Sequence, residues 1–346
     1  MSKYDKANYI ESAAFAIGVA AASALVGTVA ARARRRKFAG RVVLITGGSR
    51  GFGLALAREL ANRQCRIALC ARDHDELDRA RLALESAGHE VFTVPCDISH
   101  ADEVTAMVEA VKRHYGKIDM LINNAGEIMV SPFANLEVAD FERAMAVMFR
   151  GPLYTTLAVL PSMKKRGQGR IVNVTSIGGK VSVPHLLSYS CAKAAEVAFS
   201  NGLRNEVRQF GIEVTTVIPG LMRTGSHVNA AFKGDQVAEA GWFGAAASLP
   251  LLSVSAEHAA RLAVKAIAAG KTETVLGVPA QILSRAQNLL PGLTAELLRL
   301  GNQLLPRGGD GHSTSTGRDL DNRHGSLYRL LTILGKRAGQ RLNQPV

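Results

Sequence analysis

The sequence predicts an α/β fold, a single domain over residues 41–279 built on a doubly wound parallel sheet. In this region short apolar, β-branched runs alternate with stretches whose apolar residues recur at helical spacing. Strands that alternate with helices pair in parallel through right-handed crossovers, so helices must cover both faces of the sheet. A glycine-rich turn separates the first strand from the first helix, at the sheet edge where such folds bind ligands.

Each element is indicated by its own run of residues. Apolar runs predict strands at 41–46, 65–72, 91–97, 118–126, 170–176, 212–220 and, as an edge strand, 272–277. Amphipathic stretches predict helices at 54–63, 75–88, 101–116, 138–167, 189–211 and 255–270. Within the fourth helical stretch, Pro152 and Pro161 are candidate positions for kinks, because proline removes a helical hydrogen bond.

Composition and charge narrow the functional classes. Of the 346 residues 47% are hydrophobic, and 42 Lys and Arg against 29 Asp and Glu give a net charge of +13. Residues 1–40 carry seven basic and two acidic side chains, and residues 280–346 carry nine and four, so most of the excess lies outside the predicted domain. Because that domain is nearly neutral and only 5% of the residues are aromatic, nucleic-acid binding is not expected.

The cysteines indicate a reducing compartment. The four cysteines have no paired C-x-x-C spacing, and no other cluster has the spacing of metal ligands, so no metal site is expected. Cys191, within a predicted helix, is expected to be a buried packing residue.

The segment 1–40 is predicted to anchor the protein in a membrane. The twenty residues 12–31 carry no charge, which is long enough for a helix to span a bilayer. Five basic residues follow at 32–37, and the positive-inside rule then places the domain on the cytoplasmic side. A cleaved signal peptide and a helix that does not span the membrane are the alternatives.

Residues 280–346 form a basic, partly helical extension beyond the predicted domain. Apolar residues at helical spacing predict a helix within 293–305, and the polar, glycine-rich stretch 306–325 is expected to be a disordered linker. The stretch 326–342 is basic and amphipathic, which suits an anionic lipid surface, packing back on the domain, or a dimer contact.

The glycine-rich turn predicts a phosphate site. It reads Thr46-Gly47-Gly48-Ser49-Arg50-Gly51-Phe52-Gly53. Glycines let the backbone turn tightly and approach a pyrophosphate, which then lies at the N-terminus of the following helix. The spacing T-G-x-x-x-G-x-G differs from the general dinucleotide fingerprint G-x-G-x-x-G.

Further motifs follow this turn in a characteristic order. These are Asp97 after the third strand, Asn123-Asn124-Ala125-Gly126 after the fourth, Ser176 after the fifth, and then Tyr189-Ser190-Cys191-Ala192-Lys193, Pro219-Gly220 and Thr224. Over about residues 40–230 the chain therefore resembles the short-chain dehydrogenase/reductase family. The resemblance implies a Rossmann-type domain that transfers hydride reversibly between a nicotinamide dinucleotide and a carbonyl or alcohol.

The resemblance also implies the residues of a cofactor site. They are Gly47, Ser49, Arg50, Gly51, Phe52, Gly53, Arg72, Asp97, Ile98, Asn124, Ala125, Gly126, Tyr189, Lys193, Pro219, Gly220 and Thr224. Asp97 and Ile98 would line the adenine pocket, and Thr224 would hold the nicotinamide carboxamide.

Charge predicts that the cofactor is NADP(H). An acidic residue at the end of the second strand would bind a ribose 2′-hydroxyl, whereas an arginine there accommodates a 2′-phosphate. The strand ends Leu69-Cys70-Ala71-Arg72, with no acid before Arg72, and Arg50 in the glycine turn can supply a second cation.

The candidate catalytic residues are Tyr189, Lys193 and Ser176. Tyr189 and Lys193 are four residues apart on a predicted helix and share one face. A nearby cation favours the phenolate, which suits a tyrosine for general acid–base catalysis. Ser176 ends a strand, from which its hydroxyl could donate to a carbonyl or alkoxide oxygen.

One residue departs from the family pattern. The resembling family usually carries Asn in a V-N-x-x-G motif, where it holds a water that passes protons to the lysine. Here the stretch is Val147-Met148-Phe149-Arg150-Gly151, so Met148 takes the Asn position and cannot donate a hydrogen bond. The alternative to an enzyme is therefore a non-catalytic NADP-binding scaffold or redox sensor at the membrane.

The predicted substrate is a hydrophobic alcohol or carbonyl compound, such as a lipid, a steroid or a long-chain molecule. The region after Thr224 corresponds to the variable lid of the family, and it carries Trp242 and Phe243 with few charges. Packing of these residues on the core is the alternative. The resemblance also implies a homodimer or tetramer.

Overall fold

A computed structural model describes residues 38–309 and 311–344. The predicted anchor at 12–31 lies outside these residues. Within the part of the chain that the structure describes, no helix is long and apolar enough to cross a membrane.

A seven-stranded parallel sheet forms the centre of the molecule. Its strands are β1 (Val42–Thr46), β2 (Arg66–Ala71), β3 (Val91–Pro95), β4 (Met120–Asn123), β6 (Gly169–Val174), β7 (Ile212–Pro219) and β11 (Glu273–Leu276). They lie side by side in the order β11-β7-β6-β4-β1-β2-β3, and each neighbouring pair is parallel. The prediction of a doubly wound parallel sheet is confirmed.

Helices cover both faces of this sheet. One face packs against α1 (Gly51–Ala61), α2 (His74–Glu85) and α8 (Ala256–Ala268). The other packs against α3 (Ala101–Tyr115), α5 (Gly151–Arg166) and α6 (Leu187–Val207). Strands such as β1, buried at every residue, are uniformly apolar because both of their faces are covered.

The predicted long fourth helix is two helices joined by a π-helical turn. The segment runs through α4 (Val138–Met145), the π turn (Ala146–Arg150) and α5. The interruption therefore lies before Pro152 rather than at a proline. Pro161 is tolerated inside α5, and Pro152 occupies the first turn of that helix.

Smaller elements lie between and after the main strands. The short strands are β5 (Met129–Val130), β8 (Leu221–Arg223), β9 (Ala231–Phe232), β10 (Ser253–Ser255) and β12 (Ser315–Thr316). The later helices are α7 (Gln236–Ser248), α9 (Val278–Leu289), α10 (Pro291–Asn302), α11 (Gly317–Leu320) and α12 (Ser326–Arg341). Single 3₁₀ turns lie at Phe133–Asn135, Ile177–Gly179, Arg208–Phe210, Ser226–Val228 and Asp321–Arg323.

The stretch 306–325 differs from the predicted disordered linker. Within it β12 pairs with β9, and α11 carries a capping box at Thr316. The Asn135 side chain also donates to the carbonyls of Gly309 and Gly311, at 2.6 and 3.1 Å. Backbone hydrogen bonds to the domain thus order a stretch whose composition is polar and glycine-rich.

Candidate functional site

The site lies where the order of the sheet reverses. The chain builds outward from β1 to β2 and β3, and then crosses to β4 on the other side of β1. Open α/β sheets bind ligands beyond the carboxyl ends of the strands at such a point. The glycine turn after β1 and the Asn124 segment after β4 both lie there.

The glycine turn and the Asn124 segment are joined by hydrogen bonds. The Thr46 hydroxyl accepts from the backbone N–H groups of Asn124 and Ala125, at 3.0 and 3.2 Å. The Asn124 side chain donates to the Thr46 and Gly47 carbonyls at 3.1 and 3.0 Å. These bonds fix two loops that together form one wall of the crevice.

Two glycines are required by close approaches within this wall. A Cβ on Gly47 would lie 2.8 Å from the Cα of Ala125, and one on Gly53 would lie 2.1 Å from the Gly47 carbonyl oxygen. Gly47 and Gly51 also have positive φ angles of 62° and 58°. The turn therefore needs glycine both for its conformation and for its packing.

The cations predicted to bind a 2′-phosphate lie beside carboxylates. Arg50 donates to Glu76 at 2.6 Å, and the buried Ser49 hydroxyl donates to the same carboxylate at 3.0 Å. Arg72, at the end of β2, is 57% exposed in its side chain and lies 3.9 Å from Asp97. Arg72 is therefore the freer of the two guanidinium groups.

The predicted adenine-side residues occupy different environments. Asp97 accepts from the Ser99 backbone N–H and hydroxyl. Although partial burial opposes it, these hydrogen bonds and the nearby Arg72 lower the pKa of Asp97. The Ile98 side chain is buried against Gly151, where a Cβ would lie 2.5 Å from its Cδ1.

Ser176 and Tyr189 meet at the end of β6. The Ser176 hydroxyl accepts from the Gly178 N–H at 3.1 Å. A Cβ on Gly178 would lie 3.2 Å from the Tyr189 ring and 3.5 Å from the Ser176 Oγ, so one small residue borders both groups.

Lys193 lies below Tyr189 on α6 and is 3% exposed. Its ammonium donates to the Val174 carbonyl at 3.0 Å and to Glu196 at 2.8 Å. Burial alone would lower the pKa of Lys193, but attraction by Glu196 and Tyr189 raises it. The lysine is therefore held as a cation inside the protein.

Met148 lies beside this lysine. It is 1% exposed within the π turn, and a Cβ on Gly126 would lie 3.5 Å from its Sδ and 3.8 Å from the Lys193 Nζ. The Met148 side chain thus borders the cationic group with an apolar thioether. Cys191, in contrast to the prediction, is exposed, because the position two residues after Tyr189 faces away from the site.

The remaining predicted cofactor residues close the crevice from β7. Gly220 follows Pro219 and donates to the Leu276 carbonyl at 3.0 Å, which ties this loop to the edge strand. Thr224 is 4% exposed, and its hydroxyl accepts from the Ser226 N–H at 3.2 Å. Phe52, the remaining residue of the predicted set, lies in the first turn of α1 and is buried in the core.

The segment after α12 lies against the glycine turn. Gly51 donates its N–H to the Leu342 carbonyl at 2.9 Å, and Asn343 donates to the carbonyls of Ser49 and Glu76, both at 2.9 Å. The stretch 341–344 is therefore part of the site's surroundings.

A cleft of about 710 Å³ lies beside the start of α6, the helix that carries Tyr189. It is lined on one side by the loop that leads to Tyr189, including Val183, Pro184 and Leu187, and on the other by Leu298 of α10. His185 also lines this cleft, and its Nδ1 lies 2.8 Å from the buried Glu239.

Sequence reasoning missed three site residues: Glu76, Glu196 and Asn343. Glu196 could have been found from its position three residues after Lys193, which places both side chains on one helix face. Glu76 and Asn343 are distant from the glycine turn along the chain, and no local pattern indicates their contacts.

The parallel sheet and the glycine turn at its reversal define a Rossmann-type domain. Residues 41–233 match the short chain dehydrogenase family. This match covers more than half of the chain, and the chain belongs to that family.

Known proteins resemble the chain over this domain. Dehydrogenase/reductase SDR family protein 7-like of Anopheles gambiae is 40% identical over 201 residues, covering 56% of this chain and 63% of that relative. The chain thus spans less than two thirds of that relative's length. A short chain dehydrogenase/reductase from Burkholderia phymatum in complex with NAD superposes with a TM-score of 0.69 at 26% identity, covering 74% of this chain and 96% of the other.

A second solved structure carries the other form of the cofactor. A metagenomic short-chain oxidoreductase in complex with NADP superposes with a TM-score of 0.57 at 26% identity, covering 69% of this chain and 98% of the other.

Proposed function

We propose that the protein is an NADP(H)-dependent oxidoreductase that interconverts an alcohol and a carbonyl group on a hydrophobic substrate. The observation that carries this proposal is the meeting of Ser176, Tyr189 and Lys193 at the end of β6, beside the glycine turn. Family membership supports a dehydrogenase or reductase.

The three side chains have distinct roles in the proposed reaction. Tyr189 gives a proton to the substrate oxygen in reduction and takes it back in oxidation. Ser176 donates a hydrogen bond to the same oxygen and orients it. Lys193, held as a cation, stabilises the ionised form of Tyr189 and offers its one remaining N–H to the nicotinamide ribose. The bound nicotinamide would supply or accept the hydride.

The residues around the glycine turn fit a nicotinamide dinucleotide. The turn opens α1, whose N-terminus has no side-chain cap and favours a pyrophosphate. The Gly51 N–H there is held by the Leu342 carbonyl, and the Gln344 side chain lies beside Gly51, so the stretch 341–344 borders the place that a pyrophosphate would take. The exposed guanidinium of Arg72 and that of Arg50 favour a 2′-phosphate over a hydroxyl. Related structures hold NAD in one case and NADP in another, so the preference for NADP(H) depends on these two arginines.

The cleft supports a hydrophobic substrate. Its walls carry apolar side chains such as Val183, Leu187 and Leu298, together with polar ones such as Arg299 and Arg307. α9, α10 and the residues that join and follow them expose a series of apolar side chains: Val278, Ile282, Leu289, Leu290, Leu293, Leu297, Leu300 and Leu304. A helix with one face on the cleft and one apolar face outward suits a substrate that comes from a membrane.

Membrane attachment with the domain on the cytoplasmic side is part of the proposal. It rests on the uncharged run 12–31 and the basic residues that follow it. Full-length protein should pellet with membranes and resist high-salt extraction, whereas a chain beginning at Gly40 should be released. Salt release of the full-length protein would indicate peripheral binding instead.

A homodimer or tetramer is also proposed. The outer surface of α5 and α6 holds a cavity of about 470 Å³ with the exposed Leu157 and Phe210 at its edge. Such an apolar surface suits contact with a second copy. Light scattering of the purified protein tests this, and a monomer at micromolar concentration would contradict it.

The alternative is a non-catalytic NADP-binding scaffold or redox sensor, and Met148 is the observation that favours it. To decide between the two, NADPH oxidation is followed with ketones and aldehydes of increasing chain length. If the protein is an enzyme, turnover should rise with the hydrophobicity of the substrate. Tight NADPH binding without turnover across the panel would favour the alternative.

A further inference from the structure

A second charged residue is buried next to the catalytic lysine. Glu196 lies on α6, three residues after Lys193, and is 1% exposed. Its Oε2 lies 2.8 Å from the Lys193 Nζ. A carboxylate is expensive to bury unless it is paired, so its presence on this helix face calls for a specific partner, which Lys193 provides.

The other neighbours of Lys193 offer its ammonium few polar partners. β6 contributes the Val174 carbonyl at 3.0 Å. On the side of Gly126, which borders both the Lys193 Nζ and the Met148 side chain, the π turn contributes the buried thioether of Met148, which packs with Ala144 and Ala192 in a small apolar cluster. At the position where the family usually has an amide, the chain therefore has an apolar side chain, and the carboxylate lies elsewhere around the same ammonium.

We propose that Glu196 is a positioning residue, whose carboxylate keeps the Lys193 ammonium charged and oriented beside Tyr189 in place of the polar partner that Met148 cannot supply. This inference rests on the proposed function, because it assigns a part in the same proton transfer. Glu196 acts through Lys193 and is not expected to touch substrate or cofactor.

Electrostatics explains why the lysine needs this partner. Burial disfavours the charged form of Lys193, and Glu196 is the largest influence that opposes it. Burial also raises the pKa of Glu196 to about 7, although Lys193 acts in the opposite direction. The carboxylate of Glu196 is therefore ionised in the alkaline range. This is the range in which Lys193, without that negative charge beside it, would lose its proton.

A neutral replacement of Glu196 thus has a directional effect on the reaction. Without the carboxylate, Lys193 should deprotonate at a lower pH, because burial is no longer opposed by that charge. Reduction of a carbonyl then slows at a lower pH, because Tyr189 without its neighbouring cation is a weaker acid and gives up its proton less readily. The alkaline limb of the pH profile should move downward.

The test is the pH dependence of kcat/KM for carbonyl reduction with NADPH, in the full-length protein and Glu196→Gln. We expect the alkaline limb to shift down by about one unit or more in the variant. Asp119→Asn is the matched control, because Asp119 is also buried and ion-paired but precedes β4 at the opposite end of the sheet. Its profile should remain that of the parent protein.

Glu196→Asp covers the case in which the glutamine variant does not fold. It keeps a carboxylate but lies farther from the lysine, so the limb should shift in the same direction by less. If the variant that folds keeps the alkaline limb of the parent protein, the proposed role of Glu196 is overturned. The proposed function as an oxidoreductase would not be affected by that result. Absence of turnover in the parent protein would instead overturn the proposed function and this inference with it.

Discussion

The side-chain amide of Asn343 donates a hydrogen bond to the backbone carbonyl of Ser49, at a distance of 2.9 Å. The same amide reaches the Glu76 carbonyl, and its oxygen accepts from Arg79. Asn343 therefore joins the glycine turn to the start of α2. The segment after α12 thus acts as a support for the predicted pyrophosphate site.

Replacement of Asn343 by Ala should weaken that support. The Ser49 and Glu76 carbonyls would lose a donor, which lowers the free energy of unfolding by about 1–3 kcal/mol. NADPH binding should weaken several-fold, because the turn that holds the pyrophosphate becomes less ordered. Denaturant unfolding and NADPH fluorescence measure the two effects. Gln340→Ala, an exposed position on α12, is the control, and equal behaviour of the two variants would contradict the account.

The contact of Asn343 also shows where prediction from sequence ends. The strands and the glycine turn follow from local patterns, because apolar runs and glycine spacing are properties of short segments. The bond between Asn343 and Ser49 joins residues that are 294 positions apart in the sequence, and nothing near either of them indicates the other. The sequence also gives no indication of the π turn at Ala146–Arg150, because this turn changes the winding of the helix without a proline or glycine at its start.

Removal of the Arg72 guanidinium should reduce the preference for NADPH. Arg72 is exposed at the end of β2, where a 2′-phosphate would gain a charge-assisted contact. Arg72→Ala should weaken NADPH binding about tenfold, corresponding to about 1.4 kcal/mol, and leave NADH binding unchanged. Titration with each cofactor measures this ratio.

The control for Arg72 lies on the same strand. Arg66 is also exposed but lies at the other end of β2, away from the crevice. Arg66→Ala should preserve the ratio of the two affinities. An Arg72 variant with parallel losses for NADPH and NADH would remove the basis for the proposed NADP(H) preference.

His227 should make the stability of the domain depend on pH. The ring is buried between its 3₁₀ turn and α12, and its Nε2 has no hydrogen-bond partner among the described residues. Burial, reinforced by Lys336, lowers the pKa of His227 to about 4. Because the unfolded state takes up a proton near pH 6.5, stability should fall as the pH drops from about 6.5 to about 4, by up to about 3 kcal/mol.

The histidine effect is measured as a difference between variants. Unfolding of the parent protein and His227→Gln is compared across this pH range, and the parent should lose stability relative to the variant as the pH falls. His258, exposed on α8, supplies the control variant His258→Gln, which should follow the parent. If the stability of His227→Gln changes with pH in the same way as that of the parent, the assignment of His227 as a buried neutral histidine is wrong.

The catalytic candidates were predicted more completely than their surroundings. Tyr189, Lys193 and Ser176 lie in short motifs at helix and strand ends, and these motifs with the family resemblance indicated them as catalytic candidates. Their partners were not predicted, because a buried ion pair such as that of Lys193 with Glu196 depends on which helix face turns inward. The exposure of Cys191 followed from that same orientation.

The most direct test of the central claim is NADPH-dependent carbonyl reduction by the parent protein and by Tyr189→Phe. The phenylalanine keeps the ring that packs beside Gly178 but has no hydroxyl to give a proton. With a substrate that the parent turns over, kcat should fall at least 100-fold in the variant, while NADPH affinity stays within a few-fold. Turnover that survives in Tyr189→Phe would contradict the assignment of Tyr189 as the proton donor.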